Sequence, residues 1–189
     1  CSSDLKYLQD PEFLFFLGNT DPKKNTPGTL KAYAEYVRRS EKPLPLLIAD
    51  LGEQPAEAIL REIGEPRLRG MLRLAGYIPN SDLPAIYNRA SAFLYTSLRE
   101  SFGIPQLEAM ACGTPVVTSA TSAIPEVAGE GAILVDPTDP KAIADALLRL
   151  ETDAAFRARQ VAYGLDRVKQ FSWEKTARHL LTLYESLGK

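Results

Sequence analysis

Apolar residues along this chain recur in two alternating arrangements. Short unbroken runs occupy Phe13–Leu17, Leu44–Ala49, Ala92–Tyr95, Pro115–Thr118 and Ala132–Val135, with a weaker one at Leu72–Gly76. Such runs, uninterrupted by charge, predict strands covered on both faces. Between them the apolar residues return every three or four positions, as on one face of a helix. Thr26–Ser40 places Leu30, Ala34 and Val37 together, with Thr26 as the expected N-cap and Pro27 at the first helical position. Ala56–Ile63 and Pro105–Ala111 read as shorter helices, and Ser81–Pro84 caps one that carries Ile86 and Tyr87. The last third is helical. Asp139 and Pro140 cap a helix with Ile143, Ala146, Leu147 and Leu150 on one stripe, and a second covers roughly Asp153–Gln170. A third begins at Ser172 and lines up Trp173, Ala177, Leu180, Leu181, Tyr184 and Leu187.

Six short strands separated by helices predict right-handed crossovers and a mostly parallel sheet. The fold class is therefore α/β: a doubly wound, Rossmann-like sheet of about six strands with helices on both faces, plus C-terminal helices. In such sheets ligands bind beyond the carboxyl ends of the strands, where the strand order reverses. That directs attention to Gly18–Asn25, Asp50–Gln54, Gly76–Asn80 and Ser97–Pro105.

Composition narrows the function. The 189 residues suit one domain, and 45% hydrophobic with 24% charged residues is ordinary for a globular protein. Lys and Arg number 22 against 24 Asp and Glu, a net charge of −2, so general nucleic-acid binding is disfavoured. Cys1 stands at the terminus and Cys112 in an apolar stretch; no disulfide framework is expected, and a reducing, cytoplasmic setting fits. No apolar run reaches the ~18 residues of a membrane span, and no signal-peptide pattern is read. The first residue is not Met, and a piece of a longer protein is expected. The nucleotide fingerprints Gly-x-Gly-x-x-Gly and Gly-x-x-x-x-Gly-Lys-[Ser/Thr] do not occur, nor does the Gly-x-Ser-x-Gly elbow. The single histidine, His179, lies opposite the last apolar stripe and reads as an exposed spectator; no zinc site is expected.

The candidate chemistry lies in Thr96–Val117, Thr-Ser-Leu-Arg-Glu-Ser-Phe-Gly-Ile-Pro-Gln-Leu-Glu-Ala-Met-Ala-Cys-Gly-Thr-Pro-Val-Val. A strand ends near Ser97, Gly103 permits a tight turn, and Pro105 suits a first helical turn. Free amides around Phe102–Leu107 and the helix dipole favour an anion there, so a phosphate could be held without a glycine-rich fingerprint. Glu100 and Glu108, eight positions apart, flank that spot and could accept hydrogen bonds from vicinal hydroxyls. The plainer reading of Glu108 is a carboxylate complementing the dipole of a helix, worth ~0.3–1 kcal/mol. Against it, Leu107, Ala109, Met110 and Ala111 predict a buried helix, where a charge needs a partner.

Glu100-Ser-Phe-Gly-Ile-Pro-Gln-Leu-Glu108 with the following Ala-Met-Ala-Cys-Gly-Thr-Pro-Val-Val resembles the Glu-x7-Glu signature of the retaining glycosyltransferases of family 4. Phe16–Asn25 looks like that family's phosphate-binding first loop. Ala75–Ile78 with Leu83–Tyr87 resembles its base-binding region, and Ile124–Val127 with Leu134–Pro137 its later strand ends. The resemblance covers about Phe13–Glu185 and implies one half of a two-domain GT-B fold, the C-terminal half that binds the donor. It implies that Glu108 accepts from ribose hydroxyls, that Glu100 contacts the donor sugar, and that Lys24 neutralises the leaving phosphate. Gly18, Asn19, Lys23, Ser101, Phe102, Gly103 and Ile104 would lie near the diphosphate and sugar, and Tyr77 and Ile78 would flank the base. By position alone Lys24 is as well read as a solvated lysine, and Glu126 as a cap or loop residue.

Two departures stand out. Asn19 occupies a position where many relatives carry Arg, with Lys23 as the expected second charge, although Lys lacks the planar fork of Arg. Ser101 stands where Gly is common. The resemblance also implies an acceptor-binding N-terminal half outside residues 1–189, which are expected to form a single donor domain. The stripe from Phe171 to Leu187 is expected to pack partly on its own sheet and partly on that other half. No cofactor or metal is implied, only a UDP- or GDP-linked sugar as substrate, with the first loop tilting towards GDP-mannose. A glycan or lipid-linked acceptor would reach the site through the other half, with peripheral contact of the parent at the inner membrane face. A sugar-nucleotide epimerase, a phosphorylase of the same architecture and a non-catalytic binding module remain open alternatives.

Overall fold

Leu14-Phe-Phe-Leu17 offers solvent no polar side chain, and it forms one of the two middle strands of the sheet. The computed structural model describes Tyr7 and residues 10–187; Cys1 lies outside the described residues. The elements in chain order are β1 (Leu14–Leu17), α1 (Thr26–Arg39), β2 (Leu46–Ala49), α2 (Glu53–Glu62), β3 (Leu72–Gly76), α3 (Leu83–Arg89) and β4 (Ala92–Tyr95). They continue with α4 (Ile104–Ala111), β5 (Val116–Ser119), α5 (Ile124–Ala128), β6 (Ile133–Val135), α6 (Pro140–Thr152), α7 (Ala154–Val168) and α8 (Trp173–Leu187). All pairings are parallel, in the order β3-β2-β1-β4-β5-β6. The chain winds outward from β1 in one direction, then returns and winds outward from β4 in the other. The reversal point lies between β1 and β4, with Leu14 level with Ala92 and Phe16 level with Leu94.

Alternation along the strands divides the core. Leu14, Phe16, Leu46, Ile48, Leu94 and Val117 face α1, α2 and α6, where Leu30, Tyr33, Leu60 and Leu147 meet them. Phe15, Leu47, Phe93, Tyr95 and Val116 face α3, α4 and α5, against Tyr87, Met110 and Ile124. Because both faces are covered, the strands read as apolar runs. Truncating a fully buried aromatic such as Phe15 to Ala is expected to cost about 3–5 kcal/mol.

Several element limits differ from the sequence expectation, each for a local reason. β2 starts at Leu46, after Pro45, whose carbonyl accepts from Leu14 N at 2.9 Å. α2 begins at Glu53 because Pro55 falls in the first turn, where its missing N–H is not needed. Thr26 is the first helical residue of α1; the cap is Asn25, in the left-handed region at φ 56°. Asp139 does cap α6, accepting from the amides of Lys141 and Ala142, and Ser172 accepts from Lys175 N at the start of α8.

The C-terminal helix corrects one expectation. No residue of Trp173–Leu187 is buried, and Trp173 is 82% exposed, so the stripe does not pack on its own sheet. An amphipathic pattern shows that a face wants cover, without showing which surface supplies it. His179 is exposed, as expected.

Candidate functional site

The loop after β1 is shaped before any ligand arrives. Gly18 presses on Phe16 so closely that a Cβ would stand 2.0 Å from the ring, which leaves room for glycine alone. Asn19 Oδ1 accepts from Asp21 N at 2.8 Å, and Asp21 Oδ1 accepts from Lys23 N at 2.9 Å, folding Pro22–Lys24 into one 3-10 turn. Asn25 Nδ2 then donates to Thr96 O at 3.1 Å and to Pro137 O at 2.8 Å. One side chain thus ties the β1 loop to the ends of β4 and β6. The hydroxyls of Thr29 and Thr96, 2.5 Å apart, and the bond from Leu98 N to Lys23 O at 2.7 Å add to the joint.

This joint aims Lys24 across the reversal point. Its Nζ donates to Glu100 Oε1 at 2.8 Å, and both side chains are mostly shielded from water. Ser122 holds the backbone of Glu100, its Oγ donating to Glu100 O at 2.7 Å. Burial alone would raise the Glu100 carboxyl; hydrogen bonds from Lys24 and Ser97, with the Lys24 charge, outweigh it and hold the group below the usual carboxylate range. The site therefore presents a charged carboxylate and an ammonium side by side.

α4 supplies the third part. Gly103 precedes it at φ 93°, a conformation that only glycine adopts without strain, and a Cβ there would stand 2.8 Å from Gln106 Nε2. Among the described residues nothing accepts from the amides of Phe102, Gly103 or Ile104. These N–H groups and the helix dipole make the start of α4 a place for an anion. Glu108 is exposed, in the second turn of α4 rather than the first, and accepts a 3.3 Å bond from the Tyr87 hydroxyl. The helix is buried on one side only, through Gln106, Ala109 and Met110, so the carboxylate keeps its contact with water.

The structure joins Lys24 to Glu100 at the carboxyl edge of the sheet, with the Phe102–Ile104 amides next along the same segment. It places other candidates differently. The Asn19 carboxamide is spent on its own loop, and the exposed Lys23 ammonium stands 3.9 Å from Asp21. Ser101 is exposed; Phe102 packs edge-on against Phe171 at 5.8 Å. Tyr77 is 76% exposed and Ile78 is buried, beyond β3 at the edge of the sheet, so Ile78 can offer a ligand only its backbone. Asn25, Ser122 and Tyr95 were not found by sequence reasoning. The partners of Asn25 and Ser122 are distant in the chain, and Tyr95 reads simply as a strand residue. Among the described residues no three His, Cys, Asp or Glu converge as a metal ion would need, and no helix is long and apolar enough to cross a membrane.

Comparison with known proteins agrees with this fold. The family described as glycosyl transferases group 1 matches residues 4–167. The O-antigen chain mannosyltransferase B of Escherichia coli is 34% identical over 175 residues, 93% of this chain and 46% of that protein. The chain thus spans less than half the length of this relative. Sucrose-phosphate synthase from Thermosynechococcus elongatus superposes with a TM-score of 0.77 at 28% identity, over 95% of this chain and 46% of that one. Anabaena Alr3699/HepE, solved with UDP-glucose, superposes at 0.79 and 18% identity over 98% and 53%, a likeness of fold.

Proposed function

The chain belongs to the glycosyl transferases group 1 family, and on that footing we propose that it is the donor-binding part of a retaining, metal-independent glycosyltransferase. The reaction moves a hexose from a nucleoside diphosphate sugar to a glycan or lipid-linked acceptor. The observation that carries this reading is the Lys24–Glu100 pair, 2.8 Å long, beside unbonded amides at the reversal point of the sheet.

The parts divide the work by charge. As the glycosidic bond breaks, negative charge gathers on the departing diphosphate. Lys24 and the amides of Phe102, Gly103 and Ile104 stabilise that charge without reorganising. Glu100, held ionised, accepts from hydroxyls of the donor sugar. Glu108, open to solvent, accepts from the ribose hydroxyls, with Tyr87 steadying it. Mannose is the sugar we favour, because a relative at 34% identity is named a mannosyltransferase. GDP is then the matching carrier.

Acceptor contacts belong to a separate half, and the chain by itself binds donor without transferring it. We place the activity in the cytoplasm, where the free Cys112 thiol stays reduced and the parent can rest on the inner membrane face. Calorimetric titration with GDP, UDP, GDP-mannose and UDP-glucose tests the reading. Saturable binding of GDP-mannose is expected, lost in Lys24→Ala. A chain that takes up none of the four, or equal binding after Lys24→Ala, overturns it.

A further inference from the structure

Tyr95 closes β4 at the reversal point and is 2% exposed. Its ring stacks on Phe93 at 5.8 Å, and Phe93 packs edge-on against Tyr87 at 5.1 Å. Neighbours on the α3–α4 side thus fix the ring before the site is formed. Three parts of the donor site then meet it. The Lys24 ammonium lies 5.5 Å from its centroid. Gly103 lies against its edge, where a Cβ would come within 3.2 Å of Cε1. Glu100, bonded to Lys24 at 2.8 Å, completes the set, and the Tyr95 hydroxyl favours its charged form after Lys24 and Ser97.

We propose that Tyr95 is a positioning residue of the donor site, its ring seating the Lys24 ammonium and its hydroxyl steadying the Glu100 carboxylate. This rests on the function proposed above. Burial at the end of β4 is met equally well by Phe or Leu, so the core does not account for a phenol here. Burial and the negative charges of Glu100 and Glu108 push the phenol pKa upward, which keeps the proton on oxygen. The hydroxyl is then a donor, matched to a carboxylate that only accepts. The ring presents a negative face to the ammonium. Tyr95 acts through Lys24, whose ammonium lies over its ring and bonds Glu100, and needs no contact with the sugar, which is what separates positioning from catalysis.

The test uses Tyr95→Phe and Tyr95→Leu and compares GDP-mannose with GDP by calorimetry. Tyr95→Phe keeps the ring and removes the hydroxyl. It is expected to weaken GDP-mannose by about three- to tenfold while GDP stays within about twofold, because Glu100 addresses the sugar. Tyr95→Leu removes the seat of Lys24 and is expected to weaken both ligands by about tenfold. In parallel, NMR titration of the Glu100 carboxyl carbon in the ligand-free chain is expected to move to higher pH in Tyr95→Phe. A purely structural role would weaken both ligands alike and leave that titration in place, and this result overturns the inference. If Tyr95→Leu does not fold, Tyr95→Phe decides alone. If the wild-type chain binds neither ligand, the functional reading fails, and the Glu100 titration still decides whether Tyr95 steadies that carboxylate.

Discussion

Lys24 Nζ and Glu100 Oε1 meet at 2.8 Å although 76 positions separate them, and their bond spans the two strands at which the sheet reverses. Removing either partner leaves the other shielded and unmatched. We expect a double-mutant cycle with Lys24→Ala and Glu100→Gln to give a coupling of about 1 kcal/mol by urea unfolding. That is below the ~1.5–3 kcal/mol of a hydrogen bond to a charged group, because 26% and 19% of the two side chains still meet solvent. Additive single effects would show that the pair does not act as a unit.

The same pair fixes the sign of a pH effect. The Glu100 carboxyl has a folded pKa below its unfolded one, since bonds from Lys24 and Ser97 outweigh the opposing effect of burial. Its stabilisation is therefore complete above the ordinary Glu pKa of about 4.3 and fades as pH falls through the folded value. The melting-temperature difference between wild type and Glu100→Gln is expected to be constant from neutral pH to about 5 and to shrink below about 4. A difference that grows on acidification contradicts the assignment.

Glu108 and Tyr87 separate binding from stability. Glu108 is exposed, with one 3.3 Å bond from the Tyr87 hydroxyl, so the fold does not depend on its charge. Glu108→Gln is expected to weaken GDP binding by about 1–3 kcal/mol while unfolding free energy changes by less than ~0.5 kcal/mol. Tyr87→Phe frees the carboxylate to rotate and is expected to weaken binding less than Glu108→Gln. Calorimetry with GDP and thermal unfolding on the same samples check both.

At Gly103 backbone and site coincide. A methyl group there meets Gln106 Nε2 at 2.8 Å and Tyr95 Cε1 at 3.2 Å, on a backbone already at φ 93°. Gly103→Ala is expected to cost about 1–3 kcal/mol of stability and to weaken nucleotide binding, since the unbonded amides at this point are displaced. Chemical-shift changes confined to Ser101–Leu107 would locate the effect.

Much of this was legible in the chain. The runs at Phe13–Leu17, Leu44–Ala49 and Ala92–Tyr95 are strands because both faces of the sheet are covered, a condition that leaves its mark residue by residue. Glu100, Gly103 and Glu108 share one segment with a local logic of loop, turn and helix start, so their spacing reveals them. Asn25 escaped because its two bonds reach Thr96 and Pro137, 71 and 112 positions away. The spacing also gives no sign that the Asn19 carboxamide oxygen closes the local turn by accepting from Asp21 N. Nothing in the spacing of α8 could tell which surface its stripe would meet.

That stripe gives the last prediction. Phe171, just before α8, is half-buried, packs edge-on against Phe102 at 5.8 Å, and has the Arg167 guanidinium 4.9 Å from its ring. Arg167 in turn donates to the carbonyls of Val127 and Glu126. The junction between α7 and α8 is therefore anchored to the loop that carries Glu100, while Trp173, Leu181, Tyr184 and Leu187 beyond it lie open. Substitutions act accordingly. Trp173→Ser and Leu181→Ser are expected to change unfolding free energy by less than ~0.5 kcal/mol, as at surface sites without partners. Phe171→Ala removes an aromatic pair and a cation–π contact, and is expected to cost about 1–2 kcal/mol and to loosen the Phe102 loop. Urea unfolding of the three variants orders them. A loss at Trp173 equal to that at Phe171 would mean that α8 is held against the rest of the chain.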